Sequence, residues 1–408
     1  MSRLAVLSAW TQTVSMHLPH LARPQVAVLA AWSWALVVTQ SCGRTTVGAF
    51  LARVWGQSEA TVRQQLREWT YEAPAKKGAK RVALEVRACL APLLRWVLTY
   101  WPACDAHLAV ALDATLLRDR WAVLACSVVY RGCAIPVAWK IVPANTKGAW
   151  KPHWLDLLEE LAAVVPEGWT VLVLADRALY ARWLFARIVA NGWHPFLRIQ
   201  RQGYVRRAGQ AHWHELRTLV PEAGTAWAGA VTCFKNPEGQ LNCTLLAHGE
   251  AGYRDPWFIV TDLPQEVAAC AWYGLRTWIE AGFKDLKRGG WHWEQTKLRD
   301  PGRWERQWLV LAVATLWVVS VGGEAEATAP VSGLEALPAL HIARRVRRGG
   351  SQARLLSCFR RGVVVILAGL LRGVLVDMGT FWPEPWPAAE ARPALRRVEW
   401  PDSGALAA

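Results

Sequence analysis

The feature that most constrains the fold is a series of short apolar segments between residues 107 and 199. Three of them, HLAVALDATLL, WAVLACSVVY and CAIPVAWKIV, are β-rich, and Arg131-Gly132 divides the last two as a hairpin-type break. A helical pattern, the strand TVLVLAD, a second helical pattern closed by Gly192 and the strand WHPFLRI follow. The predicted order is therefore β-β-β-α-β-α-β. Three antiparallel strands followed by parallel crossovers predict an α/β fold with a mixed sheet.

The secondary-structure pattern of the sequence changes on either side of this segment. Helical patterns precede it, and a β-rich stretch with a hairpin around residues 236–239 follows before helical patterning returns near residue 265. We predict five regions. They are a helical region with a linker at 1–80, the first part of the α/β domain at 81–198, a β-rich insertion at 199–264, completion of the α/β domain at 265–325, and a basic helical region with a Pro-rich tail at 326–408.

Two aspartates belong to the predicted strands. Asp113 lies inside an apolar strand and Asp176 ends another. A buried carboxylate is costly unless it is paired or bound to metal. Two such groups on neighbouring strands could share a divalent cation, and hard oxygen ligands suit Mg²⁺ or Mn²⁺. The alternatives are a strand-end acid with a hydrogen-bond partner for Asp113 and a helix N-cap for Asp176.

A third acid, Glu280, lies in the stretch AWYGLRTWIEAGFKDLKRGG. In a continuous α-helix at ~100° per residue, Tyr273, Arg276, Glu280 and Lys287 fall on one face within about 60°. An acid among an aromatic residue and two cations is expected if the acid faces metal and the cations hold phosphates. An ordinary ion pair of Arg276 with Glu280 on a surface helix is the alternative.

This spacing resembles the Y-(2)-R-(3)-E-(6)-K signature of DDE transposases from a large class of bacterial insertion sequences. ALDAT around Asp113 and LADRALY around Asp176 look like the first and second acid regions of that family. LSCFRRG, at residues 356–362, is similar to its C-terminal region. The resemblance covers roughly residues 105–365.

The resemblance implies a ribonuclease H-like catalytic domain with a β insertion. It also implies Mg²⁺-dependent cleavage at element ends and transfer of the 3′-hydroxyl into target DNA. Asp113, Asp176 and Glu280 would bind two Mg²⁺ ions, for which Mn²⁺ could substitute. The expected partners are double-stranded DNA with terminal inverted repeats, target DNA and a second copy of the chain on DNA. The other signature residues would grip phosphates: Tyr273, Arg276 and Lys287.

Composition agrees with a nucleic-acid partner. The formal net charge is +15 and the pI about 9.8, which favours a polyanion. Near the N-terminus, two short helices joined at Gly56 would expose Arg63 and Arg67 on the second helix, which Ser58 could cap. An ordinary helical hairpin is the alternative. Most of the 27 Trp residues are expected in the core, whereas Trp257 is a candidate to stack on an unpaired base.

Other features argue against secretion and membrane insertion. The nine Cys residues contain no C-x-x-C pair, which is typical of reduced thiols in a cytosolic protein. The N-terminus lacks a convincing signal-peptide cleavage site, and the longest apolar runs fall short of the ~18–20 residues of a membrane span. We therefore expect a cytoplasmic, nucleoid-associated protein without a membrane partner.

Rival functions remain open at this stage. There is no P-loop, no G-x-G-x-x-G after a strand and no G-x-S-x-G. His212 and His214 with Cys233 have poor spacing for zinc. A catalytically silent transposase retained as a DNA-binding regulator would keep the same motifs. A ribonuclease H-like nuclease without strand transfer would use the same metals.

Overall fold

The structure is a computed structural model that describes residues 3–77, 82–118, 120–249, 255–328, 356–387 and 396–401. Most of the arginine-dense segment at 344–361 and much of the Pro-rich tail lie outside these residues. The described residues form two compact units. The first comprises residues 1–106, 114–167 and 278–384, and the second comprises residues 107–113, 168–277 and 385–408.

The first unit is mainly helical. Its helices are α1 (Arg3–His17), α2 (Arg23–Thr39), α3 (Arg44–Trp55), α4 (Glu59–Trp69), α5 (Arg87–Thr99), α6 (Lys151–Ala162), α8 (Thr277–Leu286, of which Thr277 falls in the second unit), α9 (Pro301–Thr328) and α10 (Cys358–Leu371). The predicted N-terminal helical pair is confirmed, because α3 ends at Gly56 in the left-handed conformation and the Ser58 hydroxyl accepts the Thr61 N–H at 3.1 Å.

The core of this unit is built around α9. By length and composition this helix could cross a membrane, but 89% of its most apolar window is buried within the protein. Trp317 of α9 stacks on Trp10 of α1 at 4.3 Å between ring centroids. Ten Trp residues across the described chain are almost fully buried, which confirms that much of the tryptophan content is core: Trp10, Trp32, Trp96, Trp139, Trp154, Trp291, Trp293, Trp304, Trp308 and Trp317.

Two features hold other helices to α9. Gly322 and Gly362 allow the backbones of α9 and α10 to touch, since a methyl group on either glycine would collide with a carbonyl of the partner helix. Arg306 is 5% exposed, and its guanidinium donates to the carbonyls of Thr70 and Leu84, each at 3.0 Å, and to the carboxylate of Glu72 at 2.5 Å. The N-terminal helices therefore share hydrogen bonds and ring contacts with α9.

The first unit also contains a β-hairpin. Strands β2 (Trp121–Tyr130) and β3 (Cys133–Pro143) pair antiparallel. The turn residues Arg131 and Gly132 have φ of 45° and 78°, the positive values that a tight primed turn requires. The hairpin predicted at Arg131-Gly132 is thus confirmed.

The second unit is a mixed sheet. Strand β1 (His107–Leu117) enters it with residues 107–113 and pairs parallel with β4 (Thr170–Ala175), which pairs parallel with β5 (His194–Arg198). Helix α7 (Arg182–Ala190) connects β4 to β5. The antiparallel strands continue in the order β10, β9, β8, β6 and β7.

Those antiparallel strands lie where the sequence predicted a β-rich insertion. They are β6 (Tyr204–Arg207), β7 (His214–Glu215), β8 (Thr225–Cys233), β9 (Leu241–His248) and β10 (Trp257–Thr261), and a short strand β11 (Arg396–Arg397) pairs parallel with β8. The predicted order β-β-β-α-β-α-β matches β1, β2, β3, α6, β4, α7 and β5. The predicted α/β class, with a mixed sheet and a helical N-terminal region, is confirmed.

Candidate active site

The register of the parallel strands brings two acids to neighbouring positions. In the β1–β4 ladder, Leu112 is the partner of Ala175. Asp113 directly follows Leu112, and Asp176 directly follows Ala175, at the point where this pairing stops. Residues 108–112 of β1 and 171–175 of β4 are apolar and buried, so each aspartate is the first polar side chain after a buried apolar run.

The two acids share one cation. Nη2 of Arg276 lies 2.7 Å from Oδ2 of Asp113 and 3.8 Å from Oδ2 of Asp176. Because both oxygens are measured from the same nitrogen, they are at most 6.5 Å apart. The side chains are largely shielded from water, with exposed fractions of 12% for Arg276, 19% for Asp113 and 32% for Asp176. Their attraction is therefore less screened than that of a surface pair.

Asp176 has a second role in its own loop. Its Oδ1 accepts the backbone N–H of Ala178 at 2.9 Å, which fixes the turn after β4. It is not an α-helix N-cap, because α7 begins later, at Arg182, with Ala181 in the cap position. One carboxylate oxygen thus holds the loop, while the other faces Arg276.

The aromatic residues predicted for the site pack against each other. Tyr273 is 3% exposed and meets Trp257 edge to face, with 5.1 Å between ring centroids. Burial raises the pKa of the Tyr273 phenol, and the nearby Arg276 and Arg198 oppose this effect. Tyr273 remains a neutral hydroxyl over the physiological range, next to the Arg276 cation.

The predicted continuous helix over residues 273–287 is wrong. Residues Cys270–Arg276 form a 3-10 helix, α8 then covers Thr277–Leu286, and Lys287 lies beyond its end. Ala271, Tyr273 and Leu275 are all buried, an alternating pattern that a single helix face cannot provide. A uniform 100° rotation per residue therefore does not apply. Glu280 lies in the first turn of α8 and its side chain is exposed.

Lys287 is anchored within the first unit. Its Nζ donates to the hydroxyl of Thr115 at 2.7 Å and lies 6.0 Å from the ring centre of Trp293. Burial lowers the pKa of Lys287, and Glu294 partly opposes this effect. Thr115 belongs to the ALDAT stretch of β1 and was not singled out from the sequence. A polar residue two positions after Asp113 in an apolar strand was the available signal.

Two further observations concern groups away from the aspartate pair. Arg63 and Arg67 are exposed on α4, as the sequence predicted, and their contact with DNA stays a prediction.

Nothing in the sequence singled out Asp285 on α8, where burial raises the pKa of the carboxyl to about 7, against the influence of Arg360 and Lys284. Its position among polar residues of the quoted stretch gave no sign of burial.

The chemistry of the aspartate pair fits a hard divalent cation. Among the described residues, no three His, Cys, Asp or Glu side chains lie close enough together to hold a metal ion. The pair itself supplies carboxylate oxygens, the ligands that Mg²⁺ prefers, and these oxygens already converge on a positive group. The residues therefore suit a metal that brings further ligands of its own.

Comparison with known proteins identifies the class to which this fold and acid pair belong. The family model for the transposase DDE domain matches residues 106–317, just over half of the chain. The chain belongs to the family of proteins with a transposase DDE domain. The match contains both aspartates and the signature residues from Tyr273 to Lys287.

Other comparisons add less. One solved structure similar to this chain is the piggyBac transposase in a synaptic complex with hairpin DNA, with a TM-score of 0.31 and 11% sequence identity. The match covers 52% of this chain and 45% of that one, so it spans less than half of that transposase. A search of curated proteins found no significant match.

Proposed function

We propose that this DDE transposase is an insertion-sequence enzyme with a ribonuclease H-like catalytic domain. It binds the inverted repeats at its element ends, cuts DNA strands there and joins the 3′-hydroxyl groups to target DNA. The observation that carries the proposal is the convergence of Asp113 and Asp176 on one cationic group where the β1–β4 pairing stops. Paired acids of this kind are expected in a metal-dependent phosphoryl transferase.

The acids would hold the metal. Asp113, Asp176 and Glu280 would ligate two Mg²⁺ ions, with Mn²⁺ as a substitute. When bound, such ions activate the attacking hydroxyl and stabilise the leaving oxygen in phosphoryl transfer. The contribution of the chain is to fix the carboxylates. The bond from Oδ1 of Asp176 to the Ala178 N–H sets the direction of its other oxygen.

The cations of the signature would position DNA. Arg276 presents a planar fork that suits a phosphate, whereas Lys287 is a point charge already oriented by Thr115. Tyr273 would contribute its hydroxyl beside Arg276, and Trp257 a ring face for an unpaired base. The exposed arginines of α4 and the net charge of +15 would add sequence-independent attraction to DNA.

Assembly and location follow from the chemistry. Bringing two element ends together calls for two active sites, so the working form is proposed to be a homodimer on DNA. A protein that acts on bacterial chromosomal and element DNA is proposed to reside in the cytoplasm with the nucleoid.

The test uses purified full-length protein and a duplex carrying the inverted repeats that flank the gene. Cleavage and joining to a target plasmid are measured with Mg²⁺, Mn²⁺, Ca²⁺ and after chelation. Asp113→Asn, Asp176→Asn and Glu280→Gln should each lose more than ~100-fold in cleavage while binding the ends with nearly unchanged affinity. Asp156→Asn, an exposed acid of α6 with a side-chain exposure of 51%, is the matched control and should keep full activity.

The outcomes separate the alternatives. Cleavage without joining would replace transposition by a nuclease function. End binding by the wild type without any cleavage in either metal would leave a DNA-binding regulator. Full activity of any one acid variant would remove that residue from the catalytic set.

A further inference from the structure

The position of Arg276 has a consequence for metal loading. Its Nη2 lies between the two carboxylates, within 2.7 Å of Asp113 and 3.8 Å of Asp176. A divalent ion on those oxygens would sit beside a full positive charge that is only 12% exposed to water. Two like charges at such short range repel strongly in a partly buried setting, because little water screens them. Arg276 and the ion therefore compete for the same oxygens.

We propose that Arg276 is an internal counter-cation that blocks the metal position in the DNA-free protein. Metal loading requires Arg276 to leave the aspartates. The guanidinium of Arg276 then moves to a phosphate of the bound DNA end, and for this DNA partner the inference rests on the proposed function. A phosphate can take the guanidinium in a two-pronged contact, which replaces the ion pairs that Arg276 gives up. The aspartates are then free to bind the metal.

The blocked position links DNA and metal binding. Because Arg276 satisfies either the aspartates or a phosphate, DNA that holds Arg276 raises metal affinity. By linkage, metal raises DNA affinity by the same factor. The arrangement delays assembly of the cleaving centre until DNA is bound. It assigns Arg276 a role as a positioning residue that acts through the acids.

The experiment measures Mn²⁺ binding to the DNA-free, full-length protein by calorimetry and by the electron paramagnetic resonance signal of free Mn²⁺. Arg276→Gln removes the charge but keeps an amide. Its Mn²⁺ affinity should rise by roughly tenfold, within the five- to 150-fold range of typical coupling between sites. Arg276→Lys keeps a charge without the fork, so its affinity should lie between that of the wild type and that of Arg276→Gln.

Two controls define the signal. Arg206→Gln removes one charge from β6 of the same unit, six strands along the sheet from β1, where the guanidinium of Arg206 lies 4.7 Å from the ring centre of Trp213, and should leave Mn²⁺ affinity within about twofold. Asp113→Asn should abolish the saturable binding in the Arg276→Gln background. Thermal melting without metal verifies that each variant is folded.

The inference is overturned if Arg276→Gln and Arg276→Lys, or whichever of them folds, bind Mn²⁺ no better than the wild type. It is also overturned if binding survives Asp113→Asn, because the ion then lies elsewhere. These measurements need no DNA and no turnover. Failure of the wild type to cut or join end DNA would refute the proposed function and leave the Mn²⁺ result standing.

Discussion

Replacing Asp285, a half-buried acid of α8, should stabilise the protein, and the gain should depend on pH. Burial raises the pKa of Asp285 from its ordinary 3.8 to about 7. Since the folded-state pKa is the higher one, the folded protein binds the proton more tightly than the unfolded chain does. Ionisation of Asp285 therefore lowers the free energy of unfolding. This loss is absent below pH 4, grows between pH 4 and 7, and is constant above pH 7.

The size of the effect follows from the two pKa values. They differ by about three pH units at ~1.4 kcal/mol each, so the cost of the ionised group approaches ~4 kcal/mol at pH 8. About 2–3 kcal/mol of this develops between pH 5 and pH 8 by the same relation. Asp285→Asn removes the charge with little change of volume and should recover much of the lost free energy of unfolding. Arg360 keeps a partner, because its Nη1 donates to Gln40 at 3.0 Å.

The assay is urea unfolding followed by tryptophan fluorescence at pH 5, 6, 7 and 8. The free energy of unfolding of Asp285→Asn should exceed that of the wild type at pH 8, and the difference should shrink steadily towards pH 5. Asp156→Asn on the exposed face of α6 serves as control and should shift stability by no more than ~0.5 kcal/mol at any pH. A difference that does not vary with pH, or that grows towards acid, would refute the reasoning.

Three further outcomes are expected. Gly362→Ala should lower the free energy of unfolding by about 2 kcal/mol or more, since its methyl group would push α10 away from α9, whereas Gly148→Ala, which meets nothing within 4 Å, should be nearly neutral in the same urea titration. Ser58→Ala should cost about 1 kcal/mol through the lost α4 cap, measured by thermal melting. Lys287→Ala should lower the slope of log DNA affinity against log salt by about one unit if Lys287 contacts a phosphate, and an unchanged slope would restrict it to its bond with Thr115.

The sheet could be predicted from the sequence because its signals are local. Asp113 lies inside a short apolar strand and Asp176 directly follows another, and the order of elements along the chain follows from the alternation of β and helical patterns. A crossover connection makes two strands parallel, so acids at their carboxyl ends lie at the same edge of the sheet, and the exact register is then an observation of the structure. The acid pair was therefore accessible without coordinates.

The contacts of the signature residues were not accessible in this way. Arg276 meets Asp113 across 163 positions of the chain, and Lys287 meets Thr115 across 172. The prediction for this stretch assumed one regular helix, but a 3-10 segment precedes α8, and Tyr273 is buried within it. Tertiary packing overrides local preference at such places, and periodicity along the chain does not contain that information.

The guanidinium of Arg306 limits which N-terminal segments are compatible with helix α9 as such proteins diverge. It is buried in α9 and spends all three of its described bonds on residues 70, 72 and 84, while Trp317 of the same helix stacks on Trp10. Exchanging residues 1–72 for the corresponding segment of a relative would remove the Trp10 ring and the Glu72 carboxylate at once. It would leave the buried charge of Arg306 without its carboxylate partner, since Glu72 is the one side-chain acceptor among the three described bonds, and this would destabilise the fold. New N-terminal helices can be inherited only together with matching changes in α9, so this part of the chain evolves in step with the helix that it covers.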